Sequence, residues 1–131
     1  SLSMMRIHIH HFMEEKMKDD NLLIVKTSGR YLFLDQQNVT HVMADGNYIR
    51  IYEETRSHLV RESLGNILLR LNGAHFLRVS RSAVINVHHI KEMRFRRSMS
   101  IEVFLTGGNK CIWSRSYRSR LTSLLSSMKI S

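Results

Sequence analysis

The sequence predicts a mainly β fold of short strands with a few short helices. Three observations point there. Apolar residues recur in brief runs, several of them alternating with polar ones. Strong turn signals, Ala44-Asp45-Gly46-Asn47 and Thr106-Gly107-Gly108-Asn109, interrupt those runs. Helical spacing is confined to one stretch at each terminus and one in the interior.

Met5, Ile9, Phe12, Met13 and Met17 fall at helical spacing and predict a short amphipathic N-terminal helix that ends near Asp19, Asp20 and Asn21. Ser1 to Ser3 read as a tag remnant or frayed end. Residues 1–20 are therefore taken as a tag remnant and linker helix, with a dimerisation or packing role as alternatives, and residues 21–131 as the folded domain. From Leu22 the pattern changes. Leu22-Leu23-Ile24-Val25-Lys26-Thr27 is a β run, and Gly29 can supply the positive φ of a hairpin turn before Tyr31-Leu32-Phe33-Leu34 returns. Val39 to Met43 is a further strand. Tyr48 to Tyr52 alternates, with Ile49 and Ile51 on one face and Tyr48, Arg50 and Tyr52 on the other. Glu53 to Arg56 turns the chain into Ser57-His58-Leu59-Val60-Arg61.

Leu64, Ile67, Leu68 and Leu71 form the apolar face of an internal helix capped by Ser63 and stopped by Asn72-Gly73. Strands resume at His75–Ser80 and Ala83–Asn86. A less regular one carries Ile90, Met93 and Phe95. Ile101, Val103 and Leu105 alternate, and Lys110 to Trp113 comes after the glycine turn. The closing helix has Ser114 as its cap and Tyr117, Leu121, Leu124, Leu125 and Met128 as its stripe.

At 131 residues the chain fits one domain, and 43% apolar with 24% charged residues is the balance of a folded protein. The single Cys111 excludes an internal disulfide and favours a reducing compartment. No apolar run reaches the roughly 18–20 residues of a membrane-spanning helix, and the N-terminus lacks the apolar core of a signal peptide. These points predict a cytoplasmic domain without a membrane partner.

The net charge is +9 with histidine neutral, and its placement is one-sided. Arg78 to Arg120 holds ten bases, mostly arginine, against only Glu92 and Glu102. Guanidinium groups grip phosphate bidentately and read guanine edges, so this segment points to nucleic acid ahead of an anionic membrane or acidic protein. Catalytic signals are weak. The chain has no glycine-rich phosphate loop, no nucleophile elbow and no zinc-protease motif. Cys111 sits in a strand without a partner base and reads as structural. His8, His10 and His11 precede the core, and His88-His89 reads as an exposed loop pair. No enzyme, metal or cofactor is expected.

Three segments, in order, resemble the LytTR domain, the DNA-binding output module of a class of bacterial response regulators. They are Val39-Thr40-His41-Val42-Met43-Ala44-Asp45-Gly46-Asn47-Tyr48-Ile49-Arg50-Ile51, then Phe76-Leu77-Arg78-Val79-Ser80-Arg81-Ser82-Ala83-Val84-Ile85-Asn86 with Ile90, and Trp113-Ser114-Arg115-Ser116-Tyr117. Arg61-Glu62-Ser63-Leu64 also fits, and the likeness covers roughly Leu22 to Leu125. It implies stacked antiparallel sheets that read DNA through loops, two in successive major grooves and one at the minor groove between them. Carried over by motif, the first loop is Asn47-Tyr48 with Arg50 beside it, the middle one holds Arg81, and the third is Ser116 with Arg115 and Arg118. The family often has a base where Ser116 stands, so reading there falls to Arg115 or Arg118 or is weaker. Met43 replaces a common acidic residue.

The residue chemistry leaves some roles open. Arg78 is either a structural pair or a contact, and Tyr48 either packs or touches DNA. Asn86 favours turn capping over contact, and Arg94, Arg96 and Arg97 are phosphate neighbours or solvated charge. The resemblance implies sequence-specific binding of double-stranded DNA on direct repeats, as a homodimer on the DNA, with a receiver domain upstream. The rival readings are an RNA-binding β module and an interaction domain for anionic partners.

Overall fold

The computed structural model describes residues 21–127. The expected N-terminal helix, His8, His10, His11 and Met128 lie outside the described residues. Within them the chain runs β1 (Leu22–Thr27), β2 (Arg30–Asp35), β3 (Val39–Asp45), β4 (Tyr48–Glu53), β5 (Ser57–Val60), α1 (Leu64–Arg70), β6 (Phe76–Ser80), β7 (Ala83–Asn86), β8 (Ile90–Phe95), β9 (Ile101–Leu105), β10 (Lys110–Trp113) and α2 (Arg118–Ser127). Single 3-10 turns at Gln36–Asn38, Val87–His89 and Arg115–Tyr117 link neighbouring elements.

The strands form three antiparallel sheets: β1-β2, a central β5-β4-β3-β7-β6, and β10-β9-β8. The central sheet is buried on both faces, because strand side chains alternate and β7 is apolar at successive positions. Val84 joins one core with Leu23 and Val25 of β1, Val42, Ile49 and Ile51 of the sheet, and Leu64 and Ile67 of α1. Ala83 and Ile85 face the other, with Ile101, Val103, Leu105, Cys111, Trp113 and Leu121. The result is a mainly β fold of stacked antiparallel sheets, as the family resemblance implied.

Local chemistry fixes the short helices. Ser63 Oγ accepts from Asn66 N at 3.1 Å, so the expected cap forms, and the helix stops at Leu71. The C-terminal helix departs from expectation. Ser114 Oγ lies 3.1 Å from Ser116 Oγ and makes no capping bond, and Arg115–Tyr117 is a 3-10 turn. The buried indole Nε1 of Trp113 donates to Tyr117 O at 2.8 Å, pinning this tight turn to the core before α2 starts at Arg118. Leu121 is buried, whereas Leu125 of the expected stripe is exposed.

The end of the sheets opposite the β3–β4 and β6–β7 turns is termed basal, and the end bearing those turns apical. Basal loops are stapled together. Gln36, 5% exposed, donates through Nε2 to Leu22 O and Arg70 O, while its Oε1 accepts from Asn72 N. Asn86 caps the Val87–His89 turn through His88 N and donates to Val39 O at 3.0 Å, so the capping role holds. His88 is exposed as expected, but His89 is not a free loop residue: its ring bridges Gln37 O and Thr106 Oγ1, joining the central and three-stranded sheets. A Cβ on Gly107, at φ +89, would stand 2.7 Å from Glu54 O. Only glycine permits that approach of the β9–β10 turn to the β4–β5 turn.

Candidate nucleic-acid interface

Register brings three of the chain's turns to the apical end. β3 pairs with β7 so that Met43 faces Ala83, which sets the Asp45–Tyr48 turn beside the Ser80–Ser82 turn. Ala44 N donates to Ser82 O at 2.8 Å and locks the two together. Ser114 N donates to Val79 O at 2.8 Å, and Arg120 Nη1 to Arg78 O at 3.2 Å, which dock the Arg115–Tyr117 turn on the same corner. Asn47, Tyr48, Arg81, Arg115 and Ser116 are therefore gathered at one end, and all five are exposed.

A register shift between Arg78 and Ser80 leaves Val79 opposite no partner in β7. Such a bulge bends the strand and re-aims the turn that comes after it. Val79 itself is buried, so the bend anchors the arginine tip in the core.

The predicted bases divide by what they touch. Arg78 donates from Nε to Ser80 O at 3.2 Å and from Nη2 to Arg81 O at 2.6 Å, clamping the β6–β7 turn. Arg50 donates to Ser57 Oγ at 3.3 Å and stands 4.0 Å from Asp45 Oδ2, bracing the β3–β4 hairpin. Arg118 donates to Met99 O at 3.0 Å, with its guanidinium 5.5 Å from the Phe95 ring. These three guanidinium groups hold loops in place. Arg81 and Arg115 have no side-chain hydrogen bond or ion pair among the described residues, which leaves both guanidinium groups available to a ligand.

Arg118 also recruits a loop the sequence left undecided. The β8–β9 turn, Arg96 to Ser100, closes through Arg96 N to Ser100 O and Met99 N to Arg96 O, and Arg118 ties it to the third turn. Arg96 and Arg97 stand exposed at its tip. Arg94 is engaged instead, 2.9 Å from Glu92 and 4.7 Å from the Phe104 ring. Arg120, which the family likeness did not single out, lies over Tyr117 at 5.0 Å, and their three-residue helical spacing was its available signal. Across these four apical turns Asp45 is the only acid, so the potential there is strongly positive.

No group of three or more His, Cys, Asp or Glu among the described residues could hold a metal ion. The Cys111 thiol is pushed up to about 12 by burial, which suits a packing group and not a nucleophile.

The family model of the LytTr DNA-binding domain matches residues 29–126. The chain belongs to that family. It is 32% identical over 98 residues to the transcriptional regulatory protein LytR of Staphylococcus aureus strain MW2, covering 75% of this chain and 40% of that protein. The CO-responsive transcriptional regulator RcoM of Rhodospirillum rubrum is 31% identical over 94 residues, 71% of this chain and 40% of its own length. The chain thus spans about two fifths of the curated relatives it matches. A solved LytTr DNA-binding domain of a putative methyl-accepting/DNA response regulator from Bacillus cereus superposes with a TM-score of 0.71 at 23% identity, over 80% of this chain and 96% of that one. The layered β architecture is therefore the LytTr fold. No helix among the described residues is long and apolar enough to cross a membrane.

Proposed function

We propose that this LytTr domain binds double-stranded DNA sequence-specifically as the output module of a cytoplasmic bacterial transcriptional regulator. Its apical turns act as the reading elements, and no catalytic step is involved. The observation that carries the reading is the convergence of Arg81 and Arg115, whose guanidinium groups have no partner among the described residues, with Asn47 on turns locked to one another by backbone hydrogen bonds. A bidentate arginine–guanine pair contributes about 1–3 kcal/mol of discrimination, and asparagine can do the same at adenine. Asn47-Tyr48 and Arg115-Ser116 take successive major grooves, and Arg81 takes the minor groove between them. Arg50, Arg78 and Arg118 act as positioning residues that stiffen those turns before DNA arrives.

The wider reading is a homodimer on direct repeats, with a receiver domain upstream. It rests on the family and on relatives that are longer regulators. Selection of bound duplexes from a random pool tests the core of it. One enriched motif, repeated in direct orientation, is expected, with single-stranded RNA failing to compete. Enrichment of no motif contradicts the proposal.

A further inference from the structure

Beside Tyr48 the surface continues into a groove that the reading turns do not use. It lies between the β1–β2 hairpin and β5, encloses about 710 Å³, and is lined by Lys26, Arg30, Tyr48, Leu59 and Arg61 among others. Its walls are fixed. Thr27 Oγ1 donates to Leu59 O at 2.6 Å, and the hairpin turn has both Ser28 and Gly29 at positive φ, 45° and 75°, the conformation of a tight two-residue turn. Lys26, Arg30 and Arg61 are exposed, the lining contains no carboxylate, and no described acidic residue forms an ion pair with any of the three. Lys26 Nζ lies 5.9 Å from the centre of the Tyr31 ring, a contact that leaves its charge in place, and three like charges around a preformed concavity with no carboxylate in its lining favour a polyanion.

Tyr48 forms part of both the groove and the first reading turn, so an extended anion leaving that turn passes directly into it. We infer that this groove is an accessory phosphate-backbone site, which carries one strand of the duplex outward past Asn47 and lengthens the footprint without adding sequence information. The inference rests on the DNA reading above. Each phosphate neutralised releases counterion and adds about 0.9 to the slope of log affinity against log salt, so three cations contribute about 2–3.

The test uses the full chain and a duplex selected from a random pool, alone or extended by one helical turn on either side. The wild type is expected to gain affinity from extension on one side only. The combined Lys26→Ala, Arg30→Ala, Arg61→Ala variant is expected to lose that gain and about 2–3 of salt slope, with its preferred motif unchanged. Arg30→Lys with Arg61→Lys should keep both, because counterion release needs charge and not the guanidinium fork. Arg81→Ala, measured alongside, separates the two readings. If Arg81→Ala loses specific binding while the triple alanine variant keeps slope and gain, the groove inference alone is overturned. If neither variant alters binding, the loop reading falls with it.

Discussion

The two ends of the sheets use hydrogen bonds in opposite ways. At the basal end, side chains reach across sequence to staple loops. Gln36 joins β1, α1 and Asn72, Asn86 holds Val39, and His89 spans Gln37 and Thr106. At the apical end, backbone bonds and buttressing arginines hold the turns, while Arg81 and Arg115 are left with no partner among the described residues. A stapled end gains stability from each polar group, whereas an end with unmatched cations stores binding capacity for an anion. On the proposed reading, the difference separates fold from function along one axis of a small domain.

The largest effect expected at the stapled end is a pH response. His41, 2% exposed in the basal half of β3, stacks on Tyr52 with ring centroids 4.2 Å apart and has Thr40 Oγ1 at 2.8 Å from Nδ1. Burial lowers its pKa from 6.5 to about 4. The unfolded chain therefore takes up a proton first as pH falls. The associated stability is intact above about 6.5 and is lost on acidification through about 4, roughly 3 kcal/mol in full. Urea unfolding across that range should show the decline, and His41→Gln should flatten it. Gln36→Ala comes next. It strips a donor from two carbonyls and the acceptor from Asn72 N, so it should cost about 2–3 kcal/mol of stability while leaving the preferred DNA motif unchanged. A shift in motif would break the division between the ends.

Arg81→Ala should do the reverse, weakening specific binding by about 1–3 kcal/mol with the unfolding midpoint unmoved. The smallest expected effect sharpens the apical end itself. Neutralising Arg96 and Arg97 should lower the salt slope by up to about 2, whereas neutralising Arg94 should change it little, because Arg94 already faces Glu92 and Phe104. An equal response from all three would show that the ion pair does not distinguish them.

Much of this architecture is legible in the residues. Alternation in Tyr48 to Tyr52, the glycine turns and the Ser63 cap are local signals, and each produced its element. Asn86 was legible as a cap for the same reason, since its bond to His88 N spans two residues. Gln36 was not, because its partners lie 14 to 36 residues away and no local pattern marks them. Ser114 looked like a helix cap, but the Trp113 indole takes Tyr117 O and makes the first turn 3-10. The family motif located the turns of the candidate site, and convergence of those turns depends on strand register. Motif spacing could not divide the arginines into struts and free tips. Arg78 and Arg81 stand in one short string, yet one clamps the turn and the other is presented by it.

The most direct test of the division between the ends is amide chemical-shift mapping as the selected duplex is titrated into the chain. The account predicts shifts concentrated at Asp45–Tyr48, Ser80–Ser82, Arg96–Ser100 and Arg115–Arg118, with Gln36–Asn38, Val87–His89 and Thr106–Asn109 unmoved. Perturbation centred on those basal turns, with the apical arginine turns silent, would contradict it.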